Sequence, residues 1–200
     1  MVRKETTISM RLLRTIFGYE TENTPNIPFR LMSFVIAIRD IVFPIGKRFD
    51  QFGIDKGFIV VDFGCGPGSY IERASRAVGG AGKVYAVDVH ALAIKSVKAK
   101  VRKKRLNNVI PVFSTGYPID IESQSADVIY ALDMFHHVKD VEAFLRELRR
   151  LLKPNGTLFI ESGHQPINDA REKILRSDCW TIIKEERNLF ECKLKEHDSA

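Results

Sequence analysis

Three glycines follow directly on an apolar run in the stretch Val60-Val61-Asp62-Phe63-Gly64-Cys65-Gly66-Pro67-Gly68-Ser69. Because glycine has no Cβ, the backbone at Gly64, Gly66 and Gly68 can turn sharply and come close to a ligand. A helical pattern begins directly after the turn, and a strand, a glycine turn and a helix in that order are typical of a nucleotide-type binding site. The stretch therefore predicts an α/β fold that binds a ligand at this turn.

The spacing of these glycines argues against a pyrophosphate ligand. It is GxGxG, whereas the pyrophosphate fingerprint of dinucleotide-binding folds is GxGxxG. Pro67 also lacks the N–H group that a phosphate cradle would use. Asp62 ends the strand, where its carboxylate would repel pyrophosphate and attract an ammonium group. The alternative for Asp62 is a carboxylate satisfied by the amides of the loop.

Asp88 ends the second apolar run, twenty residues after Gly68. A carboxylate in that place can accept hydrogen bonds from both hydroxyls of a ribose. The alternative for Asp88 is a helix N-cap for the segment that begins at Ala91. The pair of acidic residues predicts a nucleoside ligand that also carries a positive charge.

From Phe58 onward, short apolar runs alternate with helical patterns, as expected for repeated βαβ units and a parallel sheet. The predicted strands are Phe58–Phe63, Lys83–Asp88, Val109–Phe113, Ala126–Leu132 and Thr157–Glu161. The predicted helices are Tyr70–Val78, Ala91–Arg105, Asp140–Leu152 and Asn168–Arg176. Pro154-Asn155-Gly156 is expected to stop the third of these helices.

Two β-like runs close the pattern, Trp180–Glu185 and Leu189–Leu194. The polar turn 186–188 between them is too short for a parallel crossover, so the two runs must pair antiparallel. We therefore expect one reversed strand in an otherwise parallel sheet.

The first 56 residues lack this alternation, although a chain of 200 residues is a comfortable size for one domain. We expect an N-terminal helical layer or lid over 1–56, a ligand-binding domain over 57–195 and a frayed tail over 196–200. The segment 1–56 is rich in phenylalanine, namely Phe17, Phe29, Phe34, Phe43, Phe49 and Phe52. Such rings would pack on the sheet, and some could lie against a substrate if the layer closes over it.

The sequence favours a cytoplasmic protein. The apolar stretch Leu31 to Phe43 is interrupted by Arg39 and Asp40 and is shorter than the roughly 20 residues of a membrane span. The first residues carry no apolar run of the kind that a secretory signal needs. The three cysteines, Cys65, Cys179 and Cys192, are widely spaced and form no CxxC pair, so we expect them to be reduced and mostly buried.

Seven positive charges fall within eleven residues and could account for the whole formal net charge of +6. They are Lys95, Lys98, Lys100, Arg102, Lys103, Lys104 and Arg105. Ile94, Val97 and Val101 recur between them at helical spacing, which favours an amphipathic helix with a solvated basic face. Nucleic acid or an anionic membrane surface are the alternatives, but no aromatic residues are interleaved for stacking on bases.

Four motifs in this order resemble those of class I S-adenosylmethionine-dependent methyltransferases. They are the glycine turn 60–69, Val84-Tyr85-Ala86-Val87-Asp88, Ala126-Asp127-Val128-Ile129-Tyr130 with 133–138, and Leu151-Leu152-Lys153-Pro154-Asn155-Gly156-Thr157-Leu158. The resemblance extends from about Ile54 to Leu194 and concerns the family rather than a substrate. It implies a doubly wound, Rossmann-like α/β sheet of seven strands in the order 3-2-1-4-5-7-6, with strand 7 antiparallel.

The resemblance also implies how S-adenosylmethionine would lie. Asp62 and the backbone of 64–68, including Gly64, Cys65, Gly66 and Gly68, would face its methionine part. Asp88 would bind the ribose and Val89 would contact the adenine, with Leu132 also in the cofactor site. Many relatives carry an Asp after the third strand for the adenine amino group, whereas this chain has Phe113-Ser114-Thr115-Gly116. Ser114 or Thr115 would have to substitute for it.

Methyl transfer mainly requires that donor and acceptor be aligned and water excluded, so a dedicated catalytic residue is not obligatory. A neutral hydroxyl or a carbon acid as acceptor would need a general base. The candidates at strand ends are Asp133, His136, His137 and His164. The Asp-x-x-His-His run supplies no firm third and fourth metal ligand on one short loop, so we expect no metal there.

The sequence favours a small-molecule methyl acceptor. An RNA methyltransferase is the alternative that the basic segment motivates, but Leu132-Asp133-Met134-Phe135 stands where amino-group nucleic-acid methylation has an Asn/Asp-Pro-Pro-Tyr/Phe tetrapeptide. A cofactor-binding, non-catalytic subunit of a larger enzyme is a further alternative, motivated by the missing adenine-binding Asp.

Overall fold

A seven-stranded mixed sheet forms the centre of the molecule. The computed structural model describes residues 46–195, with side chains from residue 48 onward. The strand order is β3-β2-β1-β4-β5-β7-β6. Strands β1 to β5 pair parallel to their neighbours, whereas β7 is antiparallel to both β5 and β6. The predicted fold class and the single reversed strand are therefore confirmed.

The helices and strands alternate as the sequence predicts. The strands are β1 Ile59–Phe63, β2 Lys83–Asp88, β3 Val109–Phe113, β4 Ala126–Ala131, β5 Leu152–Glu161, β6 Trp180–Glu186 and β7 Leu189–Leu194. The helices are α1 Gly46–Phe49, α2 Ile71–Val78, α3 Ala91–Lys104, α4 Val141–Leu151 and α5 Ile167–Arg176. Two 3₁₀ turns, Asp50–Phe52 and Phe135–His137, complete the described elements.

Hydrophobic clusters cover both faces of the sheet. Successive side chains of a strand point to opposite faces, so Val60 joins one cluster and Val61 the other. Ile71 of α2 and Ile94 of α3 pack on the first face, and Leu148 of α4 packs on the second. This arrangement leaves the carboxyl ends of the parallel strands free of helices, which is where open α/β sheets bind ligands.

The predicted element ends differ from the observed ones by one residue in most places, and by more at β5. This strand begins at Leu152 rather than at Thr157, because Leu152 already pairs with Ala126. The next pair is Val128 with Thr157, so the turn 153–156 bulges out of the ladder. Proline has no N–H to donate at this point, which explains why regular pairing resumes only beyond it.

The first described residues pack on the sheet through their aromatic rings. Phe52 stacks on Tyr130 at a centroid distance of 5.1 Å and lies 4.8 Å from Phe159. Phe49 is likewise buried. The other phenylalanines of the predicted N-terminal layer, Phe17, Phe29, Phe34 and Phe43, and the predicted tail 196–200 lie outside the described residues. Between residues 46 and 195, none of the helices has both the length and the apolar character needed to cross a bilayer.

Candidate cofactor and substrate site

A cleft of about 560 Å³ opens at the carboxyl ends of β1, β2, β4 and β5. It is lined by nine of the ten predicted cofactor residues: Asp62, Gly64, Cys65, Gly66, Asp88, Val89, Ser114, Thr115 and Leu132. Three of the four predicted base candidates, Asp133, His137 and His164, line it as well. The fold thus brings both predicted groups into one cavity.

The glycine turn depends on backbone conformations that side chains disfavour. Gly64, Gly66 and Gly68 have φ angles of 76°, 52° and 80°, in the left-handed region that glycine adopts without steric cost. A Cβ on Gly64 would lie 2.7 Å from Met134 Cγ, whereas a Cβ on Gly66 would meet no atom within 4 Å. The backbone at Gly66 therefore faces open space in the cleft, where a ligand can approach it.

Gly68 does not line the cleft and instead packs against the helices behind it. A Cβ there would lie 2.9 Å from Ile71 Cδ1 and 3.2 Å from Val97 Cγ2. Its carbonyl oxygen accepts a hydrogen bond from the Lys100 ammonium group of α3. Gly68 therefore shapes the turn from behind, and one of the seven clustered cations is committed to holding it.

Asp62 lies in the floor of the cleft and is 4% exposed. Burial raises the pKa of its carboxyl to about 8, which the neighbouring Tyr130 hydroxyl and the charge of Lys100 lower only in part. Its Oδ2 atom is buried and has no hydrogen-bond partner among the described residues. The loop amides therefore leave this oxygen unsatisfied, and an ammonium group would satisfy it.

Asp88 connects the second strand to the glycine turn. Its Oδ2 accepts a hydrogen bond of 2.8 Å from the Gly66 N–H, and its Oδ1 accepts one of 2.7 Å from the His90 N–H. Burial raises the pKa of this carboxyl, and these N–H groups oppose the shift. The N-cap of α3 is His90, whose Nδ1 accepts from the Leu92 N–H, so the alternative role of Asp88 as the cap does not apply.

Cys65 is buried in the same turn. Burial raises the pKa of its thiol well above the usual value, and the nearby carboxyls of Asp62 and Asp88 raise it further. The group is therefore a neutral thiol rather than a thiolate. Cys65, Cys179 and Cys192 are all free, with Cys179 half-buried and the other two buried.

The end of the cleft beyond β3 is formed by the loop that starts at Ser114. The Ser114 N–H donates to the Asp88 carbonyl oxygen at 3.2 Å. Its hydroxyl donates to the Gly116 carbonyl oxygen at 2.7 Å, so the loop already uses this donor. Thr115 is exposed at the rim. Of the two predicted substitutes for the missing Asp, Thr115 is the one whose hydroxyl remains for adenine in the recorded contacts.

The opposite end of the cleft lies over β4 and β5. His164 Nε2 lies 3.5 Å from Asp133 Oδ1, and both side chains are at least half exposed. His137 also lines this end, whereas His136 lies behind it and outside the lining. Burial, together with the adjacent His137, lowers the pKa of His136 to about 3, so its imidazole is neutral.

Sequence reasoning missed the residues that join this end of the cleft to α1. The buried Glu161 carboxylate accepts a hydrogen bond of 3.0 Å from the Asp133 N–H and pairs with Arg48 at 2.8 Å. The Asn188 amide also donates to Glu161. Glu161 ends a predicted strand on the ligand-binding edge, and that position was the available signal. Nothing in the local sequence singles out Arg48 or Asn188.

A family model described as a methyltransferase domain matches residues 61–160, half of the chain. The chain belongs to this methyltransferase family. It is 29% identical over 142 residues to a ubiquinone/menaquinone biosynthesis C-methyltransferase of Pasteurella multocida, covering 70% of this chain and 53% of the relative. Similar enzymes of Shewanella are 28% identical over 123 residues. The chain thus spans about half the length of these curated relatives.

Solved structures of methyltransferases share the fold. A SAM-dependent methyltransferase from Aquifex aeolicus superposes with a TM-score of 0.68 at 26% identity, covering 77% of this chain and 90% of that one. A geranyl diphosphate C-methyltransferase from Streptomyces coelicolor superposes with a TM-score of 0.57 at 20% identity, covering 68% and 56%. The class I S-adenosylmethionine-dependent family that the sequence motifs resemble is therefore confirmed.

The geometry of the methyltransferase cleft fits S-adenosylmethionine, the cofactor of this family. The unpartnered Asp62 oxygen suits the ammonium group of the methionine part. The open space in front of Gly66 allows the ligand to approach the backbone. Asp88 lines the cleft beside them and keeps lone pairs for ribose hydroxyls, because each of its oxygens can accept more than one hydrogen bond. The specific contacts of each residue remain predictions.

Proposed function

We propose that this chain transfers a methyl group from S-adenosylmethionine to a small, largely apolar molecule that carries a hydroxyl group. The observation that carries the proposal is the continuity of the cleft from the glycine turn to the ends of β4 and β5. The cofactor supplies an electrophilic methyl group on a sulfonium. The protein's task is to hold an acceptor in line with that methyl group and to exclude water.

The lining of the cleft supports an acceptor with an apolar body. Phe63, Tyr70, Ile119, Met134 and Val138 contribute apolar walls, and small-molecule sites are generally lined in this way with a few polar groups for orientation. The similarity to a C-methyltransferase of ubiquinone and menaquinone biosynthesis points in the same direction. A hydroxylated aromatic ring, methylated on carbon or oxygen, is the acceptor class that suits both.

We propose that Asp133 and His164 assist the loss of the acceptor's proton. Such an acceptor must lose a proton when the new bond forms, and methyl transfer from a sulfonium does not remove it. The two side chains lie 3.5 Å apart at the acceptor end of the cleft, away from the glycine turn. Their partial exposure leaves room for an acceptor between them and the cofactor.

The position of the basic residues favours a small molecule over RNA. Six of the seven cations between Lys95 and Arg105 are exposed. Helix α3 starts beside the cleft at His90 and spans about 21 Å over its 14 residues. The densest part of the basic cluster, 102–105, therefore lies at the opposite edge of the sheet. A bound RNA would have to bridge that distance to present a base to the cleft.

We further propose that residues 1–56 form a layer next to the cleft and that 57–195 form the methyltransferase domain, in a cytoplasmic protein. The Arg48–Glu161 ion pair supports the first point, since it ties α1 to the acceptor end of the cleft. The free cysteines support the second, because reduced thiols are the rule in the cytoplasm.

The direct test is a screen with labelled S-adenosylmethionine against hydroxylated aromatic molecules and against RNA. We expect turnover with a member of the first class. The variants Asp133→Asn and His164→Gln should reduce kcat by a factor of about 10²–10⁴ while the affinity for S-adenosylhomocysteine stays unchanged. The exposed Asp120 provides the matched control, and Asp120→Asn should behave as wild type. Cofactor binding without turnover on any acceptor would instead favour a non-catalytic subunit.

A further inference from the structure

Three potential metal ligands from two strand ends converge at the acceptor end of the cleft. One donor atom each of Asp133, His136 and His164 lies within 4.8 Å of the other two. The imidazoles of His136 and His164 meet edge to face, with ring centroids 5.0 Å apart at 85°. The sequence placed only Asp133 and His136 on the loop after β4. The third ligand comes from the loop after β5, because β4 and β5 are neighbours in the sheet.

His136 is held in this cluster with both of its nitrogens unsatisfied. Nδ1 and Nε2 are buried and have no hydrogen-bond partner among the described residues. The ring lies so close to the β5 exit that a Cβ on Gly163 would be 2.1 Å from Nδ1. A buried polar group without a partner costs free energy, which is recovered if the group binds a ligand. The imidazole therefore has the properties of a ligand without its ion.

The backbone at Asp133 holds its carboxylate in the cluster. Asp133 has a φ angle of 52°, in the left-handed region that non-glycine residues seldom adopt. Its N–H is fixed by the buried Glu161 carboxylate at 3.0 Å. Sparsely populated backbone conformations of this kind concentrate at functional sites. The local strain has an explanation if the Asp133 side chain must point toward a ligand.

We propose that Asp133, His136 and His164 bind one divalent transition-metal ion of the Zn²⁺ type. Two imidazoles and a carboxylate suit Zn²⁺ or Fe²⁺, whereas Mg²⁺ and Ca²⁺ require sets of oxygen ligands. Three protein ligands leave coordination positions open, as in metal sites that take part in catalysis. Ligand bonds of about 2.0–2.2 Å would draw the donors closer together than they lie now. The partly exposed side chains of Asp133 and His164 are free enough to make that adjustment.

A role for the ion in catalysis rests on the proposed function, whereas ion binding itself does not. A hydroxyl oxygen of the acceptor would occupy an open position, and the ion would lower the pKa of that hydroxyl. The O–H bond then breaks with its electron pair left on oxygen, and the proton passes to water. The acceptor takes the methyl group, and the electron pair of the broken S–C bond stays on sulfur. No oxidant or reductant is required.

The test is a calorimetric titration of Zn²⁺ into the full, untagged chain after treatment with a chelator. We expect one saturable site per chain and no comparable binding of Mg²⁺. Asp133→Asn and His164→Gln should each weaken Zn²⁺ binding by at least about tenfold, the lower bound known for changes even in groups that only support a ligand. Asn tolerates the left-handed backbone, so Asp133→Asn removes the ligand without disturbing the loop. Asp120→Asn is the matched control and should bind Zn²⁺ as wild type does.

Binding of S-adenosylhomocysteine, measured on every variant, reports separately on folding and on the cofactor site. The proposal is overturned if the wild type shows no saturable Zn²⁺ site while it still binds S-adenosylhomocysteine. It is equally overturned if both ligand variants bind Zn²⁺ as tightly as wild type, because the cysteines would then hold the ion. Equal weakening by Asp120→Asn would assign the signal to surface carboxylates and would also contradict it.

Discussion

The Gly66 N–H donates a hydrogen bond of 2.8 Å to Oδ2 of Asp88. This bond joins the glycine turn after β1 to the acidic end of β2, so the two motifs form one structural unit before any ligand binds. Because the Asp88 carboxylate is already fixed by two backbone N–H groups, it is pre-organised for a ribose and little conformational entropy remains to be lost on binding.

Replacing Asp88 with Ala should weaken binding of S-adenosylhomocysteine by about 1–3 kcal/mol, the usual cost of leaving buried hydrogen-bonding partners unpaired. The change also leaves the Gly66 and His90 N–H groups without their acceptor, so the melting temperature should fall. Isothermal titration and a thermal melt measure the two effects. Unchanged affinity in a folded Asp88→Ala variant would mean that the ribose lies elsewhere.

Binding of S-adenosylhomocysteine should release a proton from Asp62. The pKa of this carboxyl is raised to about 8, so near neutral pH it is mostly protonated in the free protein. Pairing with the ligand's ammonium group requires the carboxylate, and binding below about pH 8 must therefore expel a proton, with affinity rising as the pH approaches that value. Titrations in buffers of different ionisation enthalpy count the protons released.

The matched variant for this effect is Asp62→Asn, which should abolish the proton release and weaken binding. Asp120→Asn should leave both unchanged. If wild type and Asp62→Asn released the same number of protons, the coupling would belong to another group and the assignment of Asp62 to the ammonium would be wrong.

Lys100 and Lys98 should differ in their effect on stability although they lie two residues apart on α3. The Lys100 ammonium donates to the Gly68 carbonyl, whereas Lys98 is exposed. Lys100→Met should lower the free energy of unfolding by about 1–3 kcal/mol, the range for a hydrogen bond that involves a charged group. Lys98→Met should stay within about 0.5 kcal/mol of wild type. Denaturant titration of both variants decides, and equal effects would remove Lys100 from the support of the turn.

The exposed basic face of α3 should be dispensable for methyl transfer. Replacing Lys98, Arg102 and Arg105 with Gln should leave turnover nearly unaltered, since exposed charges contribute little and are screened over ~10 Å at 0.1 M salt. If the face gripped phosphates, each lost contact would lower the slope of log affinity against log salt by roughly 0.7–0.9. Filter binding of RNA over a salt series compares wild type and the triple variant. A steep slope in the wild type that flattens in the variant would establish RNA as a partner.

Local patterns in the sequence were sufficient to predict the sheet and the glycine turn, because alternating apolar runs and glycine spacing reflect nearest-neighbour constraints. The strand order came from the family resemblance, and the structure confirms it. The contacts that define the site are of another kind. Lys100 reaches Gly68 only because α3 packs behind the turn, and nothing distinguishes it from the six other clustered cations until that packing is known.

The acceptor end of the cleft shows the same limit. Asp133 and His164 are 31 residues apart in the sequence, and they meet because β4 and β5 end side by side. The sequence could place each at a strand end but could not supply the distance between them. Likewise, Arg48 enters the site through its ion pair with Glu161, from a segment whose local pattern predicts no site.

The measurement that tests the central claim most directly is a calorimetric titration of the wild-type chain with S-adenosylhomocysteine and, separately, with NAD. The unpartnered Asp62 oxygen and the GxGxG turn predict saturable binding of S-adenosylhomocysteine in the micromolar range and far weaker binding of NAD, whose pyrophosphate the Asp62 carboxylate repels. Tighter binding of NAD, or no saturable binding of S-adenosylhomocysteine by the folded protein, would contradict the account.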